Sequence, residues 1–565
     1  MPLAVPLMYF RPRVSRSALL GGSHTQGDIT MKIIPEAAVL TVLSVWVWGA
    51  APLSYGQAEQ AIAPSGKCAD LVNLEVPGSE MVITKAEEIP TAPPGTVRIS
   101  MLSPDMVPVA IGSYCRAEGI ISPRTGVDNK SYAIGFAIAL PDHWNGRFLF
   151  QGGGGLNGSI TPPLGAQAAG DSPALARGFA IVSTDTGHKG AVFDPYFMKD
   201  QLASLNFAYI AVGRVAVLSK QIIAHYYGQP ARHSYYDGCS TGGREGMLMS
   251  QRYPTYFDGI IVGDPAMRTG YSNIGLTYAR VAFQQIAPKD ASGKPVPSQD
   301  FSASDKKLLA EAILKSCDEK DGLKDGMIFN VKACGFDPAV LKCKGAKTAA
   351  CLSDPQVGAL QKAFGGPKDS RGRPVYAAFP YDPGYIVGAG TVFSSFLPSE
   401  GPNPIASVQP PADLTIDQLV ANVEANENQT LTDTTWTNLS TFSGNGGKLI
   451  FYHGTSDPVF SSFDTLAYYE RMATNNGGLD QVETWSRFFF VPGMNHCAGG
   501  PAALDNFDML GAVVNWVEKG VAPDFVLAKG KSLPGRTRPL CPYPKYAHYK
   551  GQGNPEDGSN FECRQ

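Results

Sequence analysis

This sequence predicts an α/β protein: a mainly parallel sheet covered by helices on both faces, with a large inserted lid domain. Three observations carry that expectation. Strand-like and helix-like segments alternate from Trp144 to Asp264 and again from Lys448 to Lys519, the order of a parallel sheet with crossover helices. Between them, from about Pro265 to Gly447, the alternation breaks down into a stretch rich in Pro, Gly, Ser and aromatics. A single Gly-x-Ser-x-Gly, Gly238-Cys239-Ser240-Thr241-Gly242, falls where a strand gives way to a helix.

Residues 1–58 read as an extension with a targeting segment. Met31-Lys32 opens a short basic region, Ala37 to Ala51 is apolar, and Gly56-Gln57-Ala58 offers small residues for cleavage. That run is short for a spanning helix; translation is expected to start at Met31, the alternative being that the apolar run is a membrane anchor. The first core segment, 59–264, should begin with short alternating strands from Cys68 to Ala139, including Thr96 to Met101 and Tyr132 to Leu140. Trp144 to Phe150 is a strand running into Gln151-Gly152-Gly153-Gly154-Gly155-Leu156-Asn157-Gly158. A dinucleotide site would need a helix next, and Thr161-Pro162-Pro163 argues against one. Gly178 to Thr184 is a strand and Leu202 to Tyr227 a long amphipathic helix. His233 to Tyr236 suits a buried strand, Arg244 to Arg252 a helix, and Gly259 to Asp264 the next strand. The lid domain spans 265–447. The second core segment, 448–565, holds the strand Lys448 to Gly454, the helix Thr465 to Ala473, the strand Arg487 to Val491, the helix Phe507 to Lys519 and a disulfide-bonded tail.

Composition narrows the class. The 565 residues are ample for a large core, and a net charge of -3 gives no electrostatic case for nucleic acid or an anionic membrane. Ten cysteines, an even number, fit disulfides in an oxidising compartment, so a secreted or periplasmic protein is expected. The chain has no Cys-x-x-Cys pair, the usual spacing of structural zinc.

Chemistry concentrates at strand ends. The turn at Ser240 must be sharp, and its flanking glycines are expected to supply conformations that a Cβ would penalise. Serine alone is a weak nucleophile and needs a base oriented by an acid. The strand from Lys448 ends in Gly454-Thr455-Ser456-Asp457-Pro458, and the strand from Arg487 in Val491-Pro492-Gly493-Met494-Asn495-His496-Cys497. The order Ser240…Asp457…His496 is the triad order of the α/β-hydrolase fold. Asp264 and Asp505 are rival acids. Cys239 precedes the serine and Cys497 follows the histidine, so a bridge between them would tie nucleophile to base. Closing so long a loop is worth about 5 kcal/mol in the chain-entropy account. The Gly152–Gly155 loop has a use of its own, since glycine lets a backbone N–H approach a developing oxyanion. Cys317-Asp318-Glu319-Lys320-Asp321-Gly322-Leu323-Lys324-Asp325-Gly326-Met327 offers hard oxygen ligands for calcium, though not with EF-hand spacing.

On Cys239-Ser240 with Thr241-Gly242-Gly243, on Gly454 to Asp457 and on His496-Cys497, the chain resembles the tannase and feruloyl esterase family, from about Cys68 to Cys563. The resemblance implies an α/β-hydrolase core with a large lid and hydrolysis of phenolic acid esters through an acyl-enzyme. It implies the pairs Cys68–Cys115, Cys239–Cys497, Cys317–Cys334, Cys343–Cys351 and Cys541–Cys563. It also implies a structural calcium on the carboxylates of Asp318, Asp321 and Asp325 and the carbonyls of Leu323 and Met327, with no organic cofactor. The oxyanion would be held by the amide of Thr241 and one from Gly153 or Gly154. The expected partner is a small phenolic ester, with Phe460 against its acyl group and some of Tyr271, Tyr278, Phe283, Phe379, Tyr385, Phe393, Phe396 and Trp436 lining a slot for the ring. The alternatives are galloyl esters, as for a tannase, and the terephthalate half-ester, whose hydrolases resemble this chain at Asp457-Pro458-Val459-Phe460. Those hydrolases hold the free carboxylate with a lid arginine. Here no arginine lies between Arg373 and Arg471, so uncharged phenolic esters are expected to be preferred. A non-catalytic binding protein on a hydrolase scaffold is the alternative of a different class, and nothing in the sequence favours a peptidase.

Overall fold

The computed structural model describes residues 61–99, 105–387 and 410–565, so the targeting segment lies outside the described residues. One nine-stranded sheet organises it. In chain order its strands are β1 (Met81–Ile89), β2 (Tyr114–Thr125), β3 (Ser131–Pro141), β4 (Arg147–Gln151), β5 (Ala180–Thr184), β6 (His233–Cys239), β7 (Gly259–Gly263), β8 (Lys448–Gly454) and β9 (Ser486–Val491). Their spatial order is β1-β2-β3-β5-β4-β6-β7-β8-β9. β1, β2, β3 and β5 pair antiparallel, and every pair from β5–β4 to β8–β9 is parallel.

The central strands are short apolar runs because both faces are covered. Their period of two sorts side chains into two cores. Phe148, Phe150, Tyr236, Ile260, Val262, Leu449 and Phe451 pack with the helices Ala211–Tyr227, Thr241–Arg252 and Ser462–Asn475. Leu149, Tyr235, Ile261, Ile450 and Tyr452 pack on the other face with the helix Met509–Lys519 and with Val526, Leu540 and Phe561 of the tail.

Three expectations needed correction. Of the strand expected from Thr96 to Met101, residues 96–99 form none, since Arg98 makes only an isolated bridge to Met106, and the rest lies outside the described residues. The helix expected from Phe507 starts at Met509, because Asn506–Phe507 pairs with Val526–Lys529 in a small sheet. The long helix is interrupted by a π turn, Asn206–Ile210. There the buried guanidinium of Arg244, from the next helix, donates to the carbonyls of Phe207 and Ala208 at 2.9 and 3.1 Å, so groups outside the helical ladder find a partner. The run Gln201–Tyr227 is long and apolar enough to cross a membrane, but most of it is buried in the protein.

Between β7 and β8 the chain leaves the sheet. Helices Thr269–Gln284, Ala303–Cys317, Asp354–Gly365 and Ile416–Ala425 follow, and the first three gather an apolar cluster that includes Leu276, Phe283, Leu309, Ile313, Leu360 and Phe364. Three of them start with reciprocal capping boxes, Ser302/Asp305, Ser353/Gln356 and Thr415/Gln418, which fix their first turns. Disulfides Cys317–Cys334 and Cys343–Cys351 staple this insertion, while Cys68–Cys115 and Cys541–Cys563 staple the two ends of the described chain. All ten cysteines are paired as the family resemblance implied.

Candidate active site

The parallel strands deliver three loops to one edge of the sheet. β6 ends at Cys239, and Ser240 follows as the N-cap of Thr241–Arg252 with φ 64° and ψ -122°. That backbone is strained for a residue with a Cβ and costs on the order of 1–3 kcal/mol. It is held by the surroundings: Ser240 N–H donates to Gly263 O, and Ala266 N–H donates to Ser240 O, both at 3.0 Å. The flanking glycines play a different part from the one expected. Neither Gly238 nor Gly242 has a positive φ. Instead, a Cβ on Gly238 would sit 2.7 Å from the backbone of Gly242, and one on Gly242 would sit 2.8 Å from Gly153 O. They allow close approach, and the unusual conformation is the serine's own.

After β8, Asp457 is fully buried. Its Oδ2 accepts from His496 Nδ1 at 2.7 Å, and its Oδ1 accepts from the amides of Val459 and Phe460 at 2.7 and 3.1 Å. His496 stands on the loop after β9, with the ring of Phe460 edge-on to it at 5.3 Å between centroids. Cys497 is bridged to Cys239, S–S 2.05 Å, across 258 residues. Sequence reasoning thus brings Ser240, Asp457, His496 and Phe460 to one place.

Electrostatics follow from the packing. Burial disfavours the imidazolium of His496, but Asp457, with Asp264 behind it, outweighs that and raises the pKa above the ordinary histidine value. Burial works against the Asp457 carboxylate too, yet His496 and His453 hold it well below the usual range.

Several contributors were missed by sequence reasoning or cast in another role. Asp264, a rival acid, does not face the ring of His496 as its orienter. Its Oδ1 accepts from Gly454 N–H at 2.8 Å and its Oδ2 from Cys497 N–H, so one buried carboxylate ties the acid loop to the base loop. Asp505, the other rival, accepts from Gly499 N–H at 2.7 Å and lies ahead of the short strand, not in a helix start. His453 is fully buried, with Nδ1 2.9 Å from Thr465 Oγ1 and Nε2 3.1 Å from Phe460 O and 3.3 Å from Asp457 Oδ2. From the insertion, Asp382 accepts from Thr455 Oγ1, Ser456 Oγ and Gly493 N–H, and the Tyr385 hydroxyl donates to Asp457 O at 3.1 Å. The contacts of Asp264, Asp382 and Tyr385 span tens to hundreds of residues, and no local motif announces them.

The glycine loop sorts its two candidates. Gly153 N–H donates to Glu245 Oε2 at 3.1 Å and is spent. Gly154 stays outside that network, and a Cβ there would meet nothing within 4 Å. Thr241 is the first residue of its helix, so its amide has no intrahelical acceptor. Of the aromatics expected to line a slot, Phe283, Phe379 and Tyr385 are core and Tyr271 and Tyr278 are half-buried. Trp436 is 63 % exposed, and Phe393 and Phe396 lie outside the described residues.

Asp318, Asp321 and Asp325 lie together in the insertion, where Asp318 and Asp321 are buried. Burial, with the charges of Asp325 and Asp318, pushes Asp321 up to about 8, and burial likewise raises Asp318 beside Asp325. Asp325 also pairs with Arg538.

The Cys239–Cys497 bridge leads to a prediction. A peptide map made without reductant is expected to find these two cysteines linked. Changing both to alanine is expected to cut kcat while leaving the circular dichroism of the sheet and helices in place, because the bridge holds the loop of His496. Unchanged kcat in that variant would remove the bridge from the active site's support.

The sheet, the strained serine turn and the Asp457–His496 pair define a carboxylic ester hydrolase on an α/β-hydrolase fold. The chain belongs to the tannase and feruloyl esterase family, whose profile, "Tannase and feruloyl esterase", matches residues 115–400 and 405–564. It is 39% identical over 523 residues to the mono(2-hydroxyethyl) terephthalate hydrolase of Piscinibacter sakaiensis, covering 80% of this chain and 85% of that one. It is 31% identical to a probable feruloyl esterase B-2 of Neosartorya fischeri, covering 77% and 84%. The crystal structure of feruloyl esterase B from Aspergillus oryzae is similar with a TM-score of 0.70 at 27% identity, covering 88% of this chain and 99% of that one.

Proposed function

We propose that this chain hydrolyses small phenolic acid esters through an acyl-enzyme on Ser240. The observation that carries the reading is the buried Asp457–His496 pair on a loop bridged covalently to the residue before Ser240. Asp457 fixes the tautomer with Nδ1 protonated, so Nε2 accepts the Ser240 proton as Oγ attacks the ester carbonyl. The amides of Thr241 and Gly154 hold the tetrahedral oxyanion, and His496 then protonates the departing alkoxide. Water, deprotonated by the same ring, releases the acid and restores the serine.

Among esters, uncharged phenolic ones such as methyl ferulate or methyl gallate are the favoured substrates. A free carboxylate needs a cation when desolvated. Arg268 pairs through Nε and Nη2 with Asp464, and an Arg280 nitrogen donates to Pro410 O. The likeness to a terephthalate half-ester hydrolase favours a second reading, so that half-ester belongs in the test. The purified enzyme is expected to show a higher kcat/KM for methyl ferulate or methyl gallate than for mono(2-hydroxyethyl) terephthalate. A ratio below one would transfer the assignment to the half-ester and make Arg280 the cation to mutate.

Five disulfides support residence in an oxidising compartment, periplasmic or extracellular. The acids of the insertion fit a structural calcium: Asp318, Asp321 and Asp325 would supply carboxylate oxygens, and Leu323 and Met327 carbonyls, which offsets the burial and the mutual repulsion that raise Asp318 and Asp321. Calcium at a hundredfold over its Kd is expected to stabilise the fold by about 2.7 kcal/mol. Chelation should therefore lower Tm while leaving kcat at low temperature unchanged. Equal Tm with and without chelator would remove calcium from the account.

A further inference from the structure

Glu245 lies one turn into the helix that follows Ser240 and is fully buried. Among the described residues, two N–H donors and one shared hydroxyl meet its two oxygens. Gly153 N–H reaches Oε2 at 3.1 Å, Asn157 Nδ2 reaches Oε1 at 2.7 Å, and the Tyr236 hydroxyl lies 3.0 Å from both Oε2 and Gly242 O, which share its one proton. Burial, with the Glu245 carboxyl beside it, holds the Tyr236 phenol far above its ordinary value, so it remains a donor. Gly153 is gripped on its other side as well, because its carbonyl accepts Gly242 N–H at 3.0 Å. A trans peptide is planar, so fixing the carbonyl of Gly153 fixes the direction of Gly154 N–H. The turn is closed by Asn157 N–H donating to Gly154 O at 2.9 Å, which leaves Gly154 with its carbonyl committed and its amide outside the Glu245 network.

We propose that Glu245 is a positioning residue for the oxyanion hole. By taking the amide of Gly153 into the protein, it holds the next amide, that of Gly154, toward the reacting carbonyl beside Thr241 N–H. The inference rests on the reading of Ser240 as nucleophile. It adds that the nucleophile helix itself carries the side chain that shapes the opposite wall of the hole. A donor held in place before the reaction contributes only where charge develops, so its loss falls on the transition state and not on the bound ester.

The test uses the full chain and the near-isosteric Glu245→Gln, which cannot accept from all three donors. Three quantities are measured: kcat and KM on methyl ferulate, or on whichever ester of the panel is turned over fastest; inhibition by an arylboronic acid, whose tetrahedral serine adduct places an oxygen in the hole; and Tm. Glu245→Gln is expected to lower kcat by about a hundredfold, the scale of losing one oxyanion donor, with KM nearly unchanged and boronate affinity weakened in parallel. Tyr236→Phe, which removes the hydroxyl shared between Glu245 Oε2 and Gly242 O and keeps the ring, should show the same pattern at smaller size. It decides the matter if Glu245→Gln does not fold. A kcat close to wild type in the variant that decides, or a fall in kcat with boronate affinity unchanged, would overturn the assignment. Ser240→Ala runs alongside: turnover surviving in it would refute the nucleophile reading, whatever Glu245 does.

Discussion

Ser240→Ala is expected to lower kcat about a millionfold, the loss seen when a serine hydrolase is deprived of its nucleophile. The fold should not notice. Alanine keeps the Cβ, so the strained backbone at φ 64° is as costly as before, and the hydrogen bonds from Ser240 N–H to Gly263 O and from Ala266 N–H to residue 240 are backbone bonds that survive. The expected signature is therefore dead enzyme with an unchanged Tm. Ser240→Gly should be equally dead but more stable, by about 1–3 kcal/mol, because glycine relieves the strain. Hydrolysis within about a hundredfold of wild type in either variant would mean that another group attacks the ester.

Asp457→Asn should cost about ten-thousandfold in kcat, since an amide facing Nδ1 stabilises the wrong tautomer of the base. Its Oδ1 can still accept from Val459 and Phe460, so the loop is expected to keep its shape. The pH profile gives a second reading. His496 works neutral, and Asp457 raises its pKa above the ordinary value of about 6.5. In the wild type, kcat/KM therefore rises with pH through a value above 6.5, and in the variant the residual activity should rise at lower pH. A wild-type rate in Asp457→Asn would move the acid role, with Asp264 next to be tested.

The chemistry of this chain was more legible than its support. Ser240, Asp457 and His496 could be read because each closes a strand of recognisable apolar pattern, and a strand end in a parallel sheet says where a side chain emerges. Asp264, His453, Asp382 and Glu245 could not be read as supports. Asp264, Asp382 and Glu245 act on groups far along the chain, as Asp264 does on Gly454 and Cys497, 190 and 233 residues on, whereas His453 meets nearby residues but no local motif marks it. Gly153 and Gly154 looked equivalent because the residue that separates them, Glu245, is 92 positions from Gly153. Residues 96–99 carried strand-like side chains but have no continuous partner among the described residues, and pairing, unlike alternation, is not a local property.

The bridge between Cys239 and Cys497 also sets a schedule. A chain made from its amino terminus at about 5–20 residues per second exposes Cys239 for tens of seconds before Cys497 exists. In that interval Cys68 can find Cys115 at a separation of 47, Cys317 can find Cys334 at 17, and Cys343 can find Cys351 at 8. Cys239 is the thiol that must wait, 258 residues from its partner. Because His496 and Cys497 are neighbours, the histidine and the bridge that holds its loop both arrive only when almost the whole protein has emerged.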